Sequence, residues 1–239
     1  IYMGRAYEVR KASIQKTGAA RGKIYSNFAK EIYLAAKGNP EIDTNIVLKR
    51  IVEKAKKAEV PSEIIDRAIK KAKTTATDDY TTVVYEAFGP GASTLIIKCL
   101  TDNVNRSVSS IRAAFNKCKA KLGVSGSVAY NYDNLSIVSI KSDKEEEILD
   151  ALISNDINVI DYECENGEIT ISSEPNELHH IKDVLEKIIP NISYELDETG
   201  YYAKEKVELN EEDKVLFDRL LNMLDEIEDV SVVFHNVNM

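Results

Sequence analysis

The spacing of apolar residues changes once along this chain, near residue 80, and that change limits the fold more than any single motif does. Ile24, Phe28, Ile32 and Ala36 recur every four residues, which predicts a helix over 24–37. Gly38-Asn39-Pro40 ends it. Val47, Leu48, Ile51, Val52 and Ala55 give a second helix over 44–58, with Asp43 or Thr44 expected to cap its first amides. Pro61-Ser62 opens a third helix over 62–73, with Ile65, Ala68, Ile69 and Ala72 inward. The polar stretch 74–79 reads as a linker.

After it the period falls to two. Strands are expected at 81–87 and 94–100, then a helix at 104–118, a Gly/Ser turn at 123–127 and a strand at 128–132. Residues 135–197 have their own rhythm. A strand (135–141), a helix (143–154), two strands (157–163 and 168–173) around Asn166-Gly167, a helix (174–188) and a strand (192–196) make β-α-β-β-α-β, the ferredoxin-like order. The last part reads as a strand (206–209), a helix (211–227) and a strand (230–235). These have no sheet of their own, and their simplest partner is the unit before 134. The fold class is therefore α+β, in three domains. Residues 1–79 form a basic arm and helical domain, 80–133 plus 201–239 a discontinuous α+β domain, and 134–200 a ferredoxin-like domain inserted into it.

Charge follows these divisions. The whole chain has a formal net charge of −9, which alone argues against nucleic acid. Residues 1–73, however, hold 17 Lys/Arg against 8 Asp/Glu, a net of +9, while 134–200 hold 4 against 17, a net of −13. The excess begins in 3–23, where Arg5, Arg10, Lys11, Lys16, Arg21 and Lys23 stand in a run with no regular apolar period. This is expected to be an arm that is mobile or ordered by its partner. Two helix faces continue the excess: Arg50, Lys54 and Lys57 on the second helix, and Arg67, Lys70 and Lys71 on the third. Such a footprint fits phosphates, whose neutralisation releases condensed counterions. Tyr7, Tyr25 and Tyr33 lie among these residues and could stack on unpaired bases. The acidic remainder should point away from a nucleic acid or meet a basic protein.

Catalytic patterns are sparse. There is no Gly-Lys-Ser/Thr of a P-loop, and Gly89-Pro90-Gly91 lacks the third glycine and the helix of a dinucleotide loop. Ser125 in GVSGS is not in a nucleophile elbow. His179 and His180 are adjacent on a predicted helix and so point about 100° apart, unable to chelate one metal from one face. The clusters Glu145–Glu147 and Glu211–Asp213 suit the first turns of helices. Neither an enzyme nor a cofactor or metal is expected. No apolar run is long enough to span a membrane, and no secretory signal stands before or after Met3, read as the natural start. Cys99, Cys118 and Cys164 are odd in number and far apart, which fits a reducing compartment and the cytoplasm.

One polar cluster stands out: Asp102, Asn103, Asn105 and Arg106, between a strand and a helix. Asp102 or Asn103 can cap that helix, but an arginine in a first turn opposes the dipole. Arg106 therefore calls for a carboxylate or a phosphate, and the cluster is placed at an interdomain surface.

The segments MGRAYEVRK (3–11), RGKIYSNFAKEI (21–32), PSEIIDRAIKKA (61–72), YEAFGPGA (85–92), TDNVNR (101–106), GVSGSVAY (123–130) and DVSVVFHNV (229–237) occur in the order seen in the YebC/PmpR family. The chain resembles that family over nearly its whole length, and its opening is similar to the YeeN-like branch. The resemblance implies a helical domain, a second α+β domain built from two chain segments and an inserted ferredoxin-like domain. It implies a cytoplasmic DNA-binding regulator of transcription without catalytic activity. It also brings an alternative, a ribosome-associated translational activator that binds ribosomal RNA, since relatives include the mitochondrial translational activator of cytochrome oxidase.

Overall fold

The computed structural model describes residues 21–74 and 80–238. Helices α1 (Arg21–Ala36), α2 (Ile46–Lys57) and α3 (Ser62–Thr74) come first. Their apolar stripes meet in one core of Ile32, Ala36, Leu48, Val52, Ala55, Ile65, Ala68 and Ile69. The cap of α2 is Asn45, not Asp43 or Thr44: its side chain accepts from the Leu48 amide at 3.0 Å. Thr44 is held one turn earlier by Asn39. Of the linker, Thr74 belongs to α3 and 75–79 lie outside the described residues.

The first sheet has strand order β3-β1-β2-β8, from β1 (Thr81–Phe88), β2 (Thr94–Thr101), β3 (Lys121–Leu122) and β8 (Val230–His235). Two helices, α4 (Val104–Asn116) and α7 (Glu211–Asp225), pack on it around Leu95, Ile97, Ile111, Phe115, Phe217 and Leu220. The turn 89–93 joins β1 to β2 through Gly89 N–H to Ser93 C=O at 2.9 Å. Gly91 sits there at φ +63°, in the left-handed region that glycine takes without strain. It is a strand-to-strand turn, as the missing third glycine required.

The second sheet lies in the chain between the parts of the first. Its strands β4 (Tyr132–Lys141), β5 (Val159–Glu165), β6 (Glu168–Ser173) and β7 (Tyr194–Ala203) take the order β5-β6-β4-β7. Helices α5 (Glu145–Ser154) and α6 (Leu178–Ile188) fill the two crossovers, giving the ferredoxin-like arrangement. Val138, Ile140, Ile148, Leu152, Ile169, Ile171, Ile181 and Leu185 form its core. The acidic clusters open α5 and α7, where they complement the helix dipoles.

Three expectations change. Residues 128–132 are not a strand: Ala129–Asn131 form a 3₁₀ turn, and β4 starts at Tyr132. The cause is Glu86, whose carboxylate takes the amides of Gly126, Val128 and Ala129 at 2.6, 2.7 and 2.8 Å. Those amides have nothing left for a ladder. Residues 206–209 are not a strand either, but make an isolated parallel bridge from Val207 to Val237. Strand β7 runs on through Asp197-Glu198-Thr199-Gly200, because β4 pairs with it from Ile140 to Tyr132. The overlong β4 and β7 reach the first sheet, where Tyr132 and Tyr201 join Ile96, Val128 and Phe234 in a small shared core.

Candidate nucleic-acid interface

The basic residues of the two helix faces have different surroundings. Arg50 projects from α2 toward α6 and is buried, 7% exposed. Its Nη2 donates to Asp183 at 2.5 Å and to Glu186 at 3.2 Å, and its Nη1 lies 3.3 Å from His179 Nδ1. Burial and the nearby Arg50 charge lower the His179 pKa from its ordinary value, keeping the ring neutral beside the guanidinium. Lys54, one turn on, pairs with Asp197 at 2.8 Å. Asp197 also binds Lys182, which is buried and stacks over the Tyr194 ring at 4.4 Å. The second helix thus meets the acidic sheet unit with two of the three cations on its expected basic face. Only Lys57, in its last turn, stays exposed on that face.

The α3 face differs in exposure. Arg67, Lys70 and Lys71 are all exposed. The Lys71 ammonium lies over the rings of Tyr33 and Tyr80 at 5.4 and 5.9 Å. Tyr33 itself is 2% exposed and edge-on to Tyr80, so it is packing and cannot stack on a base. Tyr25 is half-buried against the helical core. Of the arm, Arg5, Arg10, Lys11, Lys16 and Tyr7 lie outside the described residues, and Arg21 opens α1. Lys23 is tied to the end of α7, donating to the Asp225 carbonyl at 2.5 Å and its carboxylate at 3.0 Å. A lysine at a helix C-terminus satisfies the last carbonyls there. Neither Lys23 nor Arg50 is free to hold a phosphate, because each already spends its charge on a carboxylate of the same chain.

The Arg106 cluster resolves in the same way. Asn103 caps α4, accepting from the Arg106 amide at 3.0 Å. Asn105 and Asp102 are exposed. The Arg106 guanidinium forms a fork on Asp229, with Nε to Oδ2 at 3.0 Å and Nη2 to Oδ1 at 2.8 Å, and reaches Asp102 at 2.7 Å. Asp229 is 4% exposed and also accepts from Ser107 at 2.9 Å and Lys30 at 3.4 Å. Burial alone would raise its carboxyl, but the hydrogen bonds from Arg106 and Ser107 and the Lys30 charge hold it below the usual range. Because Lys30 comes from α1, Asp229 ties the helical unit to the first sheet. Sequence reasoning required an anion for Arg106 but had no local signal for Asp229. The one available hint was an Asp at the turn before an apolar strand, in a segment otherwise rich in Val.

His235 packs edge-on against Phe217 and accepts from the Val237 amide; burial lowers its pKa to about 4, so it is a neutral core ring. Among the described residues no group of three or more His, Cys, Asp or Glu is placed to hold a metal, and no helix is long and apolar enough to cross a membrane.

Comparison with known proteins places these features in one group. The family model for the TACO1/YebC protein N-terminal domain matches residues 5–75, and that for the TACO1/YebC second and third domain matches residues 80–237. A probable transcriptional regulatory protein of Acholeplasma laidlawii is 45% identical over 237 residues, 98% of each chain. One from Alteromonas mediterranea is 40% identical over 235 residues, again 98% of each. The crystal structure of a conserved hypothetical protein from Aquifex aeolicus superimposes with a TM-score of 0.71 at 32% identity, covering 92% of this chain and 91% of that one. With both family models matched in order along almost its full length, the chain belongs to the TACO1/YebC family.

Proposed function

We propose that this protein is a non-enzymatic, DNA-binding transcriptional regulatory protein of the cytoplasm, and that its phosphate-holding surface is the exposed α3 face together with the basic arm. The observation that carries this reading is the exposure of Arg67, Lys70 and Lys71 on one helix of a strongly basic unit. The names of the relatives support the regulatory role. Lys57 extends the surface, and Lys54 stands at its margin, where it already pairs with Asp197. Arg50, Lys23 and the Arg106 cluster are left out of it and hold the units together.

A second reading has one observation in its favour. The exposed acids of α5, Glu145, Glu146, Glu147 and Asp150, offer a surface for a basic protein, as on a ribosome. In that case the α3 face meets ribosomal RNA, and the protein is a translational activator. Crosslinking in cells followed by sequencing of the bound nucleic acid separates the two. Promoter DNA is expected; recovery of ribosomal RNA alone would replace the first reading with the second.

A further inference from the structure

The edges of the two sheets are guarded unequally. Strands β5 and β7 close the second sheet. β5 carries Asp161, Glu163 and Glu165 and a register shift between Val159 and Asp161, and β7 carries Glu195, Asp197 and Glu198. Charged side chains and bulges of this kind discourage edge-to-edge pairing. β8 closes the first sheet on one side, and none of its residues is exposed. On the other side β3 is only Lys121–Leu122 and pairs with β1 at Ala87 and Phe88. Thr81–Tyr85 is therefore an edge of its own. Thr81, Thr82 and Val84 are exposed along it, Val84 by 42%. From Thr81 to Tyr85 there is no charge, no proline and no register shift.

The ladder fixes which groups are free. Leu100 donates to the Asp229 carbonyl on the β8 side, so Thr82, opposite it, makes no bond to β2. The even positions of β1 therefore aim N–H and C=O outward, as the Glu86 carbonyl does in accepting from Gly123 at 2.8 Å. Thr82 and Val84 share that phase, and among the described residues nothing takes their outward groups. This free stretch is its own complement. Run antiparallel to a copy of itself about Val83, Thr82 forms a hydrogen-bonded pair with Val84 of the second copy, and Val84 with its Thr82. Thr81 then faces Tyr85, and Val83 faces Val83 across the axis: β-branched and aromatic pairs with no like charges opposed. A register moved by one residue sets outward groups against inward ones. One moved by two runs onto Glu86, whose carbonyl is taken, or onto Tyr80, which packs edge-on to Tyr33. We propose that β1 pairs with β1 of a second copy about a two-fold axis at Val83, joining two four-stranded sheets edge to edge.

One strand edge is a smaller contact than a standard interface, so the test is sedimentation velocity of the full chain over about 1–200 μM. The mass at the upper end should be twice the 26.7 kDa of one chain. Val84→Pro removes an outward donor and leaves the β2 ladder intact, and it should raise the dimer dissociation constant at least about tenfold. Val83→Lys and Val83→Glu each set like charges across the axis and should sediment as monomers. Mixed in equal amounts they should form a heterodimer, which unfolding of either could not produce. Melting curves establish that each variant is folded, and should a Val83 variant fail to fold, Val84→Pro decides. A parent that stays monomeric at every concentration would overturn the proposal. So would a dimer undiminished in folded Val84→Pro. Folded Val83→Lys and Val83→Glu that do not recombine would overturn the axis at Val83.

Discussion

Arg50 stands on α2 with its guanidinium on Asp183 and Glu186, while Arg67, one helix later, stands in solvent. Both belong to a basic face at helical spacing, and both come from the same +9 stretch. What separates them is the acidic second sheet unit, which supplies Asp183, Glu186 and Asp197 to α2. A cation on a helix is available to a polyanion only if the chain supplies no carboxylate of its own, and that carboxylate can be far away in sequence. Arg106 repeats the α2 case with Asp229.

The largest expected effect lies at Asp229. Asp229→Ala removes the anion shared by Arg106, Ser107 and Lys30 and leaves Lys30, itself 8% exposed, with only the exposed Glu228 carboxylate at 3.9 Å and two backbone carbonyls. A loss of about 3–5 kcal/mol is expected in denaturant titration. A loss under about 1 kcal/mol would mean that the hub does not hold the units together. Arg50→Gln should cost less, about 1–3 kcal/mol, because Asp183 and Glu186 are roughly half exposed and can return to water.

Acid sharpens the same point. Asp229 and Glu86 both have carboxyls held below the ordinary range: burial alone would raise them, but hydrogen bonds to the charged form prevail. The unfolded chain therefore takes up these protons first as pH falls. Their contribution is complete above the ordinary carboxylate pKa of about 4 and is lost as pH drops through the lower folded values. The gap in melting temperature between the parent and Asp229→Asn should accordingly be wide at pH 7 and narrow toward pH 2–3. A gap independent of pH would contradict the charged hub.

Much of this fold is legible in sequence because local spacing encodes it. The three helices follow from apolar residues every three or four positions, and the second sheet from its strand and helix rhythm with Asn166-Gly167 as the hairpin turn. Where reading failed, a distant residue decides. Residues 128–132 alternate like a strand, but the Glu86 carboxylate takes the amides of Val128 and Ala129. Asp197-Glu198-Thr199-Gly200 looks like the end of a strand, but β4 supplies a partner through it. The site divides likewise. Helical spacing shows that Arg67, Lys70 and Lys71 share a face; nothing near Arg50 or Lys54 announces Asp183, Glu186 or Asp197. Tyr33 sits amid basic residues, as a base-stacking residue would, yet it lies on the buried side of α1.

The central claim is that phosphates meet α3 and not the ion-paired face of α2. Its most direct test is duplex DNA affinity measured between about 50 and 200 mM salt, where binding through 6–10 phosphate contacts should fall by about 10³–10⁵. For Arg67→Glu/Lys70→Glu the slope of log affinity against log salt should drop by about 2, one for each lost contact, while folded Arg50→Gln should keep the parent slope. A full slope in the α3 variant, or a reduced one in Arg50→Gln, would contradict the account.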